Sequence, residues 1–284
     1  MDGPISLPEQ SPLYHAEQAD RYDRQNLIAA YQERFDCRLI VVVDYIFPYG
    51  VTLFEELIYD ADPERDLHLL LSTPGGDGET AVRLARSAQA RCRELTVIVP
   101  DMAKSAGTLL ALGAHRILMG PTSDLGPVDP QFQLPDGSLA SAKSIIAAVD
   151  EASKRVQEAP DTYPIHAALL TDVTALMVQQ ARAALARSED LLEEALRSNP
   201  DRTEAQIGSL RKALADPLIG KPQSHDAIFG VREAEAARVP VVQVDPRSEQ
   251  WQIIWRLWAK YFALGKRVYE GERVSKVMAW PGQQ

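Results

Sequence analysis

The stretch 67-LHLLLSTPGGDGETAVRLARSAQARC-92 decides the fold. It opens on a nearly unbroken apolar run, as a buried strand does, and closes on Ala, Val and Leu at spacings of three and four, as an amphipathic helix does. The glycine pair between them lets the chain turn sharply. The same alternation extends outward. Upstream, 25-QNLIAAYQERF-35 has helical spacing, 38-RLIVVVDYI-46 reads as a buried strand, and a helix is expected from about Tyr49 to Tyr59. Downstream, 95-LTVIVP-100 reads as strand, 105-SAGTLLALGA-114 as helix and 116-RILMG-120 as strand. Strands alternating with short helices imply an α/β protein with a largely parallel sheet, whose ligands gather where strand ends meet helix starts.

Beyond Gly120 the pattern changes. The loop 120-GPTSDLGPVDPQFQLPDGS-138 is dense in Pro, Gly and Asp and leads into a helix expected near Leu139. A long helical region from about Ile165 to Ser198 and a second from Thr203 to Ala215 follow. The run 181-ARAALARSEDLLEEALR-197 reads as a solvated face. A last helix is expected over 250-QWQIIWRLWAKYFALGKRVYE-270, where Trp251, Trp255, Trp258 and Phe262 form a stripe suited to hydrophobic contact within the chain or between subunits. The expected organisation is an N-terminal arm over 1–25, a main domain over 26–245 with a helical insertion at about 150–215, and a C-terminal helix over 246–284.

A chain of 284 residues with 45% hydrophobic and 25% charged residues has the composition of a folded protein with an ample core. Its net charge of -10 and pI near 5.1 argue against a nucleic-acid surface, which needs clustered Lys and Arg. The first residues are acidic where a signal peptide is basic, and 39-LIVVVDYIFPYGVTLF-54 is interrupted by Asp44, Pro48 and Gly50. Neither export by that route nor an integral membrane span is expected. With only Cys37 and Cys92, a disulfide framework is not expected, and a reducing, cytoplasmic setting is. No His or Cys pair stands at metal-ligand spacing, and neither metal nor cofactor is expected.

Two turns invite chemistry. Gly75 and Gly76 follow a strand; they either punctuate a turn or bring bare N–H groups up to a developing oxyanion. Ser105 opens a helix directly after another strand, which suits either a helix cap or a serine nucleophile, although its glycines do not form a G-x-S-x-G elbow. A nucleophilic serine needs a base. Of five histidines, His68 and His115 have structural settings, His15 and His166 have no motif around them, and His225, in 224-SHDAIFG-230, lies in a polar loop and stays a candidate.

The motifs 73-TPGG-76 and 104-KSAGTLLALGAHRILMGPTSDLGPVDPQ-131 resemble the Clp-protease/crotonase fold superfamily, within it the signal peptide peptidase A group, and specifically the serine dehydrogenase proteinases. The likeness runs from about residue 38 to 240. It implies a Clp-protease/crotonase-like fold with repeated strand-strand-helix units and a helical C-terminal extension. It also implies a peptidase with Ser105 as nucleophile and the amides of Gly75, Gly76 and Ala106 as oxyanion hole. Val128 stands where a Clp-type histidine would be, so the base is sought among lysines, as in the signal peptide peptidase group. Lys143, among small and apolar residues, is preferred to Lys154 and Lys104. Ser123 or Ser141 could orient it, and Asp129 lies close by. Peptide or protein substrates and a homo-oligomer follow from the resemblance. An acyl-CoA-processing enzyme and a silent peptide-binding or assembly scaffold are the alternatives.

Overall fold

Successive residues of 37-CRLIVVV-43 point to opposite faces of a sheet, and each face has its own core. Leu39, Val41 and Val43 pack with Ile28, Tyr31, Trp251, Ile254, Leu257 and Tyr261 on one side. Ile40 and Val42 pack with Phe54, Leu57, Leu84, Leu109, Leu110 and Leu192 on the other. Full burial of each such side chain contributes about 1.5–3 kcal/mol. A strand covered on both faces is apolar throughout, which is why the sequence shows runs here instead of alternation.

The computed structural model describes residues 10–220 and 227–282. Helices α1 (Pro12–Glu17) and α2 (Ala19–Phe35) precede β1 (Cys37–Val43); α3 (Gly50–Ile58) leads to β2 (Asp66–Ser72), and α4 (Gly78–Gln89) to β3 (Leu95–Val99) and the short β4 (Met102–Ala103). Helix α5 (Ala106–Leu112) leads to β5 (Arg116–Met119), followed by β6 (Asp124–Leu125), β7 (Gln131–Gln133) and β8 (Leu139–Ser141). Helices α6 (Ala142–Glu158), α7 (Tyr163–Leu169), α8 (Ala175–Arg197), α9 (Glu204–Ala215) and α10 (Val231–Ala236) come next. The last elements are β9 (Val241–Gln243), α11 (Glu249–Leu264), β10 (Arg267–Glu270) and β11 (Ser275–Met278). The main sheet runs β11-β10-β1-β2-β3-β5-β9. Its β1, β2, β3, β5 and β9 are parallel, and β10 and β11 add an antiparallel edge.

Several elements differ from expectation. Among the described residues before 25, Pro12–Glu17 and the chain from Ala19 onward are helical, and Arg24 is buried in an ion pair with Glu270 of β10, Nε to Oε2 2.7 Å. The polar run 19-ADRYDR-24 shows no apolar period because its anchor is a charge. The helix expected near Leu139 starts at Ala142, where the Ser141 hydroxyl caps it, since Leu139–Ser141 pair with β7. The helical region expected from Ile165 consists of two helices, α7 ending at Leu169 and α8 starting at the Thr174 cap. The last helix stops at Leu264, where Gly265 takes a left-handed cap at φ +59°, and the rest of the chain returns as β10 and β11. In the Trp stripe, Trp251 and Trp258 belong to the core, whereas Trp255 and Phe262 are 47% and 74% exposed.

Candidate active site

The end of β2 and the two-residue β4 run side by side. The Thr73 N–H donates to the Met102 carbonyl and the Lys104 N–H to the Thr73 carbonyl, both at 3.0 Å. This parallel step carries Gly75 up against Ser105. Gly75 has φ +116°, and a Cβ there would lie 2.9 Å from the Ser105 Cβ. Gly76, at φ +141°, is clamped by the segment after β1: the Ile46 N–H donates to the Gly75 carbonyl at 2.8 Å, and the Asp77 N–H to the Ile46 carbonyl at 2.7 Å. A Cβ on Gly76 would overlap the Ile46 carbonyl, so this turn requires glycine at both positions.

Ser105 precedes α5 at φ +50°, ψ -110°, a conformation costly for a residue with a Cβ. Its hydroxyl makes no capping bond to α5. Thr174, Ser141 and Ser248, at ordinary extended φ and ψ, all cap theirs. Of the two readings of Ser105, the cap therefore fails, and the side chain is left to the cleft beside it. That cleft, of about 270 Å³, is walled by Gly76, Asp77, Gly78, Glu79, Ser105 and Ala106, with Leu109, Val128, Asp129 and Pro130, and is closed by Ala184, Arg187, Ser188 and Leu191 of α8.

The other candidates fall into distinct places. The Gly75 N–H donates to the Thr73 hydroxyl at 3.1 Å, so this amide is engaged, whereas Gly76 and Ala106 both face the cleft. Asp129 is buried in the wall, and its carboxylate accepts from the Gln131 amide at 3.1 Å. Lys143 is half-buried in the first turn of α6 and is not itself a wall residue. Its neighbour Ala142 donates to the carbonyl of the wall residue Pro130 at 2.9 Å. Ser123 serves the backbone instead of the cleft: its hydroxyl donates to the Val99 carbonyl and accepts from the Gly120 N–H. Ser141 is the α6 cap. His225 lies outside the described residues. Lys104 is held by Asp124.

His68 and His115 have structural settings. The Gln250 amide donates to the Tyr31 oxygen at 2.8 Å, and the Tyr31 hydroxyl shares a hydrogen bond with His68 Nδ1, also at 2.8 Å. Burial pushes the His68 pKa down to about 4. The His115 ring accepts from the Leu95 N–H at 2.9 Å. Cys37 and Cys92 are buried, and burial pushes both thiols up to about 12, far from the thiolate needed for reaction.

The α8 wall is not evident in the sequence, where the charges of 181–197 read as a solvated face. The signal was present in Ala181, Ser188, Leu191, Leu192 and Ala195, a buried stripe beneath those charges. Arg187 joins α8 to the turn of the glycine pair through Glu79, at 2.6 and 2.8 Å, and also binds Glu194 at 2.7 Å. That hydrogen bonding holds the Glu79 carboxyl below its ordinary value.

The sequence model of the ClpP-like SDH-type serine proteinases matches residues 56–242, which include every wall residue of this cleft. The chain belongs to that family. Its fold is accordingly Clp-protease-like. Similar solved structures are the 1510-N membrane-bound stomatin-specific protease, as a lysine-to-alanine mutant in complex with a substrate peptide, and ClpP1 from Listeria monocytogenes. The first is 17% identical with a TM-score of 0.47, covering 86% of this chain and 87% of that one. The second is 13% identical with a TM-score of 0.40, covering 76% and 97%. Two uncharacterised proteins of Methanocaldococcus jannaschii are also similar. One is 41% identical over 92 residues, 32% of this chain and 30% of that protein; the other is 27% identical over 183 residues, 64% and 54%. The chain thus spans about a third and about half the length of these two relatives. Among the described residues, no cluster of ligating side chains could hold a metal ion, and no helix is long and apolar enough to cross a membrane.

Proposed function

We propose that this family member is a serine hydrolase that cleaves peptide bonds with a Ser105 and Lys143 dyad. The observation that carries the reading is the state of Ser105: a strained, non-capping hydroxyl opening on a cleft beside two glycines that nothing larger can replace. Ser105 Oγ attacks the scissile carbonyl while Lys143 takes its proton. The amides of Gly76 and Ala106 receive the oxyanion, and Gly75 supplies the room in which the nucleophile turns. Lys143 then returns the proton to the leaving amine, and water hydrolyses the acyl-enzyme. Val128, buried in the wall at the position of a Clp-type histidine, offers no proton chemistry, which favours a lysine base.

Cytoplasmic residence and assembly into a homo-oligomer belong to the same proposal. Leu139, Tyr163, Ile165, Leu169 and Leu176 are all exposed around α6 to α8, an apolar surface that assembly would cover. The acyl-CoA alternative gains no support from the cleft, whose one cationic wall residue among the described residues, Arg187, is held by two glutamates.

The test is labelling with a fluorophosphonate probe from about pH 6 to about pH 10, read by intact mass and peptide mapping. Modification at Ser105 that is absent from Ser105→Ala and suppressed in Lys143→Ala is the expected result. An assembled wild-type protein that takes up no probe would contradict the reading.

A further inference from the structure

We propose that Lys104 is a positioning residue that, paired with Asp124, clamps the Ser105 turn in its strained conformation; the inference rests on the hydrolase reading above. A non-glycine residue at φ +50° persists only where its surroundings over-determine it. The surroundings here converge on Lys104. Its N–H donates to the Thr73 carbonyl at 3.0 Å, and its carbonyl accepts from the Gly107 N–H at 2.7 Å, so the main chain is fixed on both sides of the serine. Its stem lies across Gly126, where a Cβ would overlap the lysine Cδ. Its ammonium pairs with the Asp124 carboxylate, the two side chains being 14% and 16% exposed.

Asp124 is itself tied down. The Phe229 N–H donates to its second oxygen at 2.9 Å, and its own N–H donates to the Asp101 carbonyl at 2.9 Å. It belongs to β6, which pairs with β4 in the register Met102↔Asp124 and Ala103↔Leu125. The ion pair therefore cross-links the strand that delivers the nucleophile to its neighbour, one residue before the turn. At this exposure it is screened far less than a surface pair. A second carboxyl, that of Asp101, stands in the same group; burial pushes its pKa up, the charge of Asp124 adds to that, and Lys104 opposes it. Without the ammonium, Asp124 and Asp101 repel each other across the β4 and β6 step, and the turn loses its brace. Neither Lys104 nor Asp124 forms part of the cleft wall, so the pair acts on Ser105 through the backbone.

The test compares wild type with Lys104→Met, Lys104→Arg and Asp124→Asn. Three readouts are taken on the full chain: the fluorophosphonate labelling rate, the melting temperature, and amide hydrogen exchange over residues 103–108. Lys104→Met is expected to label about 10–100-fold more slowly, as misplacement of a reacting group by up to about 1 Å does. Faster exchange confined to 103–108 is expected with it, and Lys104→Arg should recover at least part of both. Wild-type labelling in Lys104→Met, or slow labelling with unchanged exchange, overturns the inference. If Lys104→Met does not fold, Asp124→Asn carries the same comparison. A wild type that takes up no probe removes the hydrolase reading, and the exchange data alone then decide the clamp, unchanged exchange overturning it.

Discussion

Gly75 and Ser105 face each other so closely that a Cβ on the glycine would stand 2.9 Å from the serine Cβ and 3.1 Å from the Lys104 carbonyl. Gly75→Ala meets that contact and a φ of +116° together, and neither the Lys104 backbone nor the serine stem can move aside cheaply. Urea denaturation is expected to show a loss of about 1–3 kcal/mol. Probe labelling at Ser105 is expected to slow by about two orders of magnitude. An alanine variant that labels like wild type would mean that this contact does not set the geometry of the turn.

Strain at Ser105 has a signature of its own. Ser105→Ala and Ser105→Gly both delete the hydroxyl and abolish labelling, but only glycine relaxes at φ +50°, ψ -110°. The glycine variant is therefore expected to be more stable than the alanine variant by about 1–3 kcal/mol, despite the greater backbone freedom of glycine in the unfolded chain. Thermal melting of the two variants side by side reads the difference. Equal melting temperatures would show that the turn is relaxed.

His68 gives the fold an acid limit. In the folded protein burial keeps the ring neutral down to about pH 4, whereas in the unfolded chain it protonates near its ordinary value of about 6.5. Between those values the unfolded chain holds the additional proton, so stability falls as the pH is lowered through this window. The contribution is of the order of 2–3 kcal/mol by pH 4. His68→Gln keeps a hydrogen-bonding partner for the Tyr31 hydroxyl but cannot titrate. The stability difference between wild type and His68→Gln, measured by urea at pH 7.5 and again near pH 4.5, should shift in favour of the variant at the lower pH. A difference independent of pH would rule out His68 as the source.

Much of this architecture is legible in the sequence because buried parallel strands are apolar throughout, and their ends are marked by Gly75, Gly76 and Ser105. The runs at 38–46, 67–73, 95–100 and 116–120 correspond to β1, β2, β3 and β5. Polar anchoring is what the pattern hides. Nothing in 19-ADRYDR-24 shows that Arg24 closes on a carboxylate 246 residues away, and nothing in KRVYE shows that β10 returns to lie beside β1. Such partners are set by tertiary geometry. The cleft was legible on its glycine and serine side, where backbone conformation dictates residue type. It was hidden on the α8 side, where small buried residues sit beneath a conspicuous row of charges.

The Arg24 and Glu270 pair offers the sharpest test of that hidden anchoring. Both side chains are buried, and the carboxylate also accepts from Tyr261 at 2.5 Å and Ser275 at 2.6 Å, so every charge in the group is answered. Removing one partner leaves the other buried and uncompensated, a cost of about 3–5 kcal/mol. Arg24→Met and Glu270→Gln are each expected to approach that loss in urea denaturation, whereas the double variant removes both charges and is expected to lose much less than the sum of the two. The coupling should also appear in hydrogen exchange: Arg24→Met is expected to speed exchange in β10 and β11 as well as in α2, because the pair joins the chain's first long helix to its last strands. Additive losses in the cycle, or faster exchange confined to α2, would show that α2 is held by its apolar contacts alone.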